Sequence, residues 1–157
     1  MKLVSFVRIG ALMLLGTWAL PADADEIVID VSMPEIIFSG VANPFPAAYY
    51  FAPDRRLLAS GVGKDAKFFR DQVATLSGAS VGTVDTKESH RTYLFQHLDR
   101  LDRKANSSAR YRVFFLTIHP SMGRSAICEK LLAELRHAVA QSASAKYIDL
   151  VILQAAG

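Results

Sequence analysis

The sequence predicts an α/β fold: a single compact domain with helices on the faces of a mixed sheet. A β-hairpin lies in its N-terminal half and a parallel βαβ unit at its C-terminal end. Three observations carry this. Tyr111–Ile118 (YRVFFLTI) and Tyr147–Leu153 (YIDLVIL) are apolar runs rich in β-branched and aromatic residues, too short for helices and suited to buried central strands. Between them Cys128, Leu132, Leu135 and Val139, with Ile127 and Leu131 beside them, put one apolar face on a helix of about 20 residues. Strand, helix, strand is a βαβ unit, so the two strands are expected to be parallel. The third observation is the pair of short runs Ala48–Ala52 and Arg56–Ser60 around Pro53-Asp54-Arg55. There proline presets φ for a turn and aspartate can bond back to the backbone, which predicts the hairpin.

The remaining elements follow in chain order. Glu26–Val31 alternates as a first strand, and residues 33–45, with Pro34, Gly40 and Pro44, read as an irregular wrap. After the hairpin, residues 64–76 carry Phe69, Val73 and Leu76 at helical spacing, with Gly78 placed to close the helix. Val81–Val84 reads as a short strand. Asp85 and Glu88 stand at capping-box spacing before a third helix with the stripe Leu94, Leu98, Leu101. Residues 104–109 form a polar loop leading into the first central strand.

Ahead of all this, Lys2 and Arg8 precede an uncharged apolar run, Ile9–Leu20, and then Ala22-Asp23-Ala24. That is the grammar of a secretory signal peptide cleaved after Ala24, leaving residues 25–157 as the domain. The run falls short of the about 20 residues that span a bilayer, so a membrane enters only through an uncleaved leader. The expected location is therefore periplasmic or secreted. Cleavage removes Lys2, Arg8 and Asp23 from a chain of 18 basic and 15 acidic side chains, so the exported domain is almost neutral. The interleaving of Asp99 and Asp102 with Arg100, Arg103, Lys104, Arg110 and Arg112 reads as a solvated, salt-bridged face, and no nucleic-acid partner is expected.

Pro44 to Gly78, the hairpin with its following helix, resembles the closing ββα unit of thioredoxin-like domains, with Pro46 where that family's loop proline precedes a strand. The resemblance covers about a quarter of the domain. The family's C-x-x-C is absent, and the strand, loop and helix suited to its active-site half follow the hairpin instead of preceding it. What the resemblance implies is a thioredoxin-like fold without dithiol redox activity.

No motif names a reaction. G-x-S-x-G and the P-loop pattern are missing, and a cysteine-type phosphatase loop would need a thiolate ahead of its arginine, where His119 and Pro120 stand instead. The single cysteine, Cys128, lies on the apolar helix face, where it is expected to act as a small hydrophobe; the alternative is a thiol that bridges two chains. His90 and His97 are two turns apart, too far to chelate one metal, and no metal or cofactor is expected.

A site is placed by topology. In α/β sheets ligands collect at the carboxyl ends of parallel strands, where a loop meets the next helix. That position holds His119, Ser121, Gly123, Arg124 and Ser125: an imidazole, two hydroxyls, a cation and a glycine that lets a ligand approach. The bland alternative is that a serine caps the helix and Arg124 is merely solvated. The expectation is an exported, non-catalytic domain that binds a small anionic ligand through this loop, or an extracytoplasmic protein partner through an aromatic patch of Phe45, Tyr49 and Tyr50. The alternative is a small ester or phosphoester hydrolase using Ser121 or Ser125 with histidine assistance.

Overall fold

The computed structural model describes residues 25–41, 45–63, 66–76, 87–101 and 110–157. Among them five strands form one mixed sheet: β1 (Asp25–Ser32), β2 (Ala47–Phe51), β3 (Leu57–Val62), β4 (Tyr111–Ile118) and β5 (Ile148–Ala156), in the order β1-β5-β4-β2-β3. β4 and β5 run parallel, as the βαβ reading requires, and β1 adds parallel to β5. The hairpin β2–β3 joins antiparallel through β2, with Ala47 opposite Leu116 and Tyr49 opposite Phe114. The result is an α/β domain of one sheet with helices on both faces, as the sequence predicted.

Strict alternation explains the long apolar runs. On β4, Val113 and Phe115 join one buried cluster while Phe114 and Leu116 join the other, and on β5 Leu150 and Ile152 oppose Val151 and Leu153 in the same way. A strand covered on both faces has no polar side to show, so it reads as continuously hydrophobic. One face is covered by α1 (Met33–Ser39) and α3 (Glu88–Asp99), where Phe51, Phe95 and Phe114 pack edge to face at 5.0–5.7 Å. The other is covered by α2 (Ala66–Thr75) and α4 (Ala126–Gln141). Surface ion pairs tie the helices down: Arg136 to Glu26 of β1 through two hydrogen bonds, and Arg70 to Glu134 between α2 and α4.

The hairpin turn is built as expected. Arg55 N–H donates to Ala52 O at 2.9 Å, and Asp54 Oδ1 accepts from Arg56 N–H at 3.0 Å. Arg55 takes the left-handed φ of 64° and pairs through both guanidinium ends with Asp99 of α3. The hairpin and α2, which carry the thioredoxin-like resemblance, are present, and Pro46 enters β2 through a cis peptide bond.

Several expectations need correction. Residues 33–39 are a helix and not an irregular wrap: Pro34 sits in the first turn, where no N–H is needed, and Gly40 ends the helix at φ 73°. The buried stripe of α4 is Cys128, Leu131, Leu135 and Val139, with Leu132 at its edge and Ile127 59% exposed. α3 starts after Lys87, whose side chain makes no capping bond, and it ends before Leu101, which is exposed. Asp85, Gly78, Val81–Val84, residues 104–109 and the leader lie outside the described residues.

Candidate functional site

The loop between β4 and α4 is held by its backbone. His119 N–H donates to Ala155 O of β5 at 2.9 Å, which carries the parallel pairing one residue past the end of β4. Pro120–Met122 then make a single 3-10 turn, closed by Met122 N–H to His119 O and by Gly123 N–H to Pro120 O. Gly123 has φ 118° and ψ 148°, a conformation that costs an L side chain strain even though a Cβ would meet nothing within 4 Å. Glycine is therefore there for the backbone, and the space beside it is open.

Three side chains converge at this end of the sheet. His119 Nδ1 accepts from Ser121 N–H at 3.1 Å and lies 2.6 Å from Ser121 Oγ. A backbone N–H can only donate, so Nδ1 carries no proton in this arrangement, and the hydroxyl must be the donor to it. The imidazole proton is then on Nε2, which stands 3.8 Å from Oδ1 of Asp30 on β1. Asp30 is in register with Gln154 of β5, and Gln154 with Thr117 of β4, so the imidazole reaches across the intervening strand. Ser121 is exposed, the His119 side chain is 31% exposed and that of Asp30 is 65% exposed.

The other two residues of the predicted set serve differently. Ser125 is the N-cap of α4, its Oγ accepting from Cys128 N–H at 3.4 Å, so its hydroxyl is committed to the helix. Arg124 is 82% exposed, with Nε 3.8 Å from Glu129 Oε1 in the first turn of α4. The loop thus brings together His119 and Ser121, adds Asp30, leaves Arg124 in solvent and uses Gly123 and Ser125 structurally. Sequence reasoning missed Asp30. It lies far from His119 along the chain and nothing local marks it; only the β1–β5–β4 register brings the two together.

Elsewhere three sequence readings change or firm up. The three aromatics do not form one patch: Tyr49 is buried in one core with Phe45 partly buried against it, while Tyr50 is fully buried in the core on the other face of the sheet. The tyrosine hydroxyls are occupied, Tyr49 Oη donating to Val41 O at 2.7 Å and Tyr50 Oη to Phe69 O at 3.5 Å, so neither tyrosine offers a partner a surface. Apolar side chains left outside are found on α1, where Ile37 is 53% and Phe38 89% exposed. Cys128 is a free, buried thiol, as its place on the helix face predicted.

The third is the basic cluster, which is not wholly a solvated face. Arg112 and Asp149 are buried, and Asp149 takes both Arg112 Nε at 2.9 Å and Arg110 Nε at 2.5 Å. Among the described residues no three histidine, cysteine or acidic side chains are grouped to hold a metal ion, and no helix is long and apolar enough to cross a membrane. Compared with known proteins, the chain matches no family model, no curated protein and no solved structure.

Proposed function

We propose that this chain is an exported domain that binds a small anionic ligand at the 119–125 loop, with Arg124 and Ser121 as its contacts and His119 at its edge. The observation that carries the reading is the placement of an 82% exposed guanidinium and an exposed hydroxyl on a loop at the carboxyl ends of two parallel strands. Arg124 binds carboxylate or phosphate oxygens through a planar fork of donors. Glu129, 3.8 Å away, is the internal anion with which a ligand competes. Export is supported by the leader, with its basic start, its uncharged apolar run and Ala22-Asp23-Ala24.

The test is thermal melting of residues 25–157 against inorganic phosphate, nucleotides and sugar acids, at an ionic strength matched with chloride. A ligand at 100 times its Kd stabilises the fold by about 2.7 kcal/mol. That shift is expected in the wild type and absent from Arg124→Ala, while Glu129→Gln strengthens binding. Equal shifts in wild type and Arg124→Ala would remove the loop from consideration. The export half is checked by the intact mass of the secreted protein, which should lack residues 1–24. Trp18 is the only tryptophan, so the processed protein should show no tryptophan fluorescence.

A further inference from the structure

We infer that the same loop hydrolyses small carboxylic esters, with Ser121 as nucleophile, His119 as general base and Asp30 positioning the imidazole. This rests on the reading of 119–125 as a ligand site and assigns it a reaction. The argument is the proton order along the three side chains. Ser121 Oγ donates to His119 Nδ1 at 2.6 Å because that nitrogen already accepts a backbone N–H, and Nε2 carries its proton on the side of Asp30 at 3.8 Å. A hydroxyl hydrogen-bonded to an imidazole with a carboxylate beyond it is the arrangement that serine nucleophiles need, whatever fold carries it. Here the ring is turned over, so that Nδ1 faces the serine and Nε2 the acid.

The steps balance with water as the co-reactant. Ser121 Oγ bonds to the ester carbonyl carbon while its proton passes to His119 Nδ1. The bond between that carbon and the leaving oxygen breaks, and the leaving oxygen takes the proton from Nδ1. A water molecule then attacks the acyl carbon and gives a proton to Nδ1. The acyl carbon–Oγ bond breaks, and the proton returns to Oγ. In each half the imidazole is transiently a cation, and the Asp30 carboxylate faces it. The backbone N–H groups of Met122 and Gly123 are engaged by His119 O and Pro120 O, whereas Ser121 N–H loses its acceptor when His119 Nδ1 takes the proton. The developing oxyanion therefore falls to Ser121 N–H and the Arg124 guanidinium. One cation thus serves an inert anion in the ground state and the oxyanion in the reaction, which predicts that inorganic phosphate inhibits competitively.

The experiment uses residues 25–157 with p-nitrophenyl acetate and butyrate, and with a fluorophosphonate probe read by intact mass and peptide mapping. The expected result is turnover, one probe adduct per chain on the peptide containing Ser121, and loss of both in Ser121→Ala. His119→Gln should lower kcat by at least about 100-fold. Asp30→Asn should lower kcat about 10-fold with KM unchanged, the pattern of a group acting on the imidazole and not on the ester, and Asp30→Glu should recover part of it. An adduct elsewhere, or equal turnover in Ser121→Ala, overturns the inference. If turnover and adduct are absent while phosphate still shifts the melting temperature through Arg124, the hydrolytic assignment falls and the binding site stands. If the phosphate shift is absent too, both fall.

Discussion

At the N-terminal ends of β4 and β5 the charged side chains of Arg112 and Asp149 are packed away from water, with Arg110 close to it, whereas at the C-terminal ends His119, Ser121 and Arg124 stand in or near it. The same two strands are thus polar at both ends, and the groups are used in opposite ways. At the closed end one carboxylate holds two guanidinium groups, Arg110 also donates to Ile148 O, and Arg112 reaches Arg110 O. Burial pushes the Asp149 carboxyl up, even though both arginines pull it down, and burial likewise lowers Arg112. In both groups the loss of water is the larger influence. A buried ionic cluster of this kind is weak ground for net stability, although breaking it by removing one partner is costly. At the open end the groups keep their water and remain able to exchange it for a ligand.

The largest expected effect follows from the closed end. Asp149→Ala leaves two arginines facing each other without their shared carboxylate, and loss of one partner of a buried pair costs about 3–5 kcal/mol. Urea denaturation should show a lower midpoint at unchanged slope. A loss under about 1 kcal/mol would mean that the cluster is solvated and that the contrast between the two ends is false. The comparison sharpens if all three charges go together. Arg110→Met, Arg112→Met and Asp149→Leu combined should recover nearly all of that loss, because replacing a buried ionic cluster by apolar groups of similar volume ranges from neutral to stabilising by about 1–4 kcal/mol.

This contrast also separates what could be read in the sequence from what could not. The strands, the hairpin, α2 and α4 were legible because each buries a face, and burial writes a period of two or about 3.6 into the residues. Helix α1 was not, because Pro34 and Gly40 look like breakers until their places at the first turn and just past the last are known. Arg112 looked like a surface charge because its buried partner, Asp149, lies on a neighbouring strand far along the chain. The loop of 119–125 was located by topology alone, while the roles of its residues needed coordinates. Nothing in the sequence says which serine caps α4 or that Asp30 crosses the sheet to His119.

Ser125 and Ser121 divide the loop in the same way on a smaller scale. Ser125→Ala removes the N-cap of α4 and should cost about 1 kcal/mol, the usual worth of such a cap, in thermal or chemical unfolding. Ser121 is exposed and caps no helix of α4's length, and Ser121→Ala should cost less. If the order is reversed, the assignment of one hydroxyl to structure and the other to function is wrong.

Protons extend the comparison to the rest of the interior. His97 on α3 is buried, and its pKa is lowered by burial and by Arg100, against an opposing pull from Glu35 of α1 at 3.6 Å. A depressed folded pKa means that the unfolded chain takes the proton first. The stability due to His97 is then complete above its ordinary value of 6.5 and is lost as pH falls through the folded value. Asp149 has the opposite sign: its raised pKa favours the protonated fold, so its contribution is lost as pH rises above the ordinary 3.8. Unfolding midpoints below pH 6.5 should therefore fall less steeply in His97→Gln than in the wild type. An unchanged slope would place that proton elsewhere.

The smallest expected effect on stability is the one that bears most on function. Arg124 is 82% exposed and its ion pair with Glu129 spans 3.8 Å between two solvated groups, so Arg124→Ala should change unfolding by no more than about 0.5 kcal/mol. A side chain that stabilises nothing, at the end of the sheet where polar groups keep their water, has no structural reason to be a guanidinium. If Arg124→Ala melts with the wild type and yet no longer responds to phosphate, the cation is there for what it binds. A substitution that lowers the melting temperature by several degrees would instead join the open end to the closed one, and Arg124 would belong to the scaffold of α4.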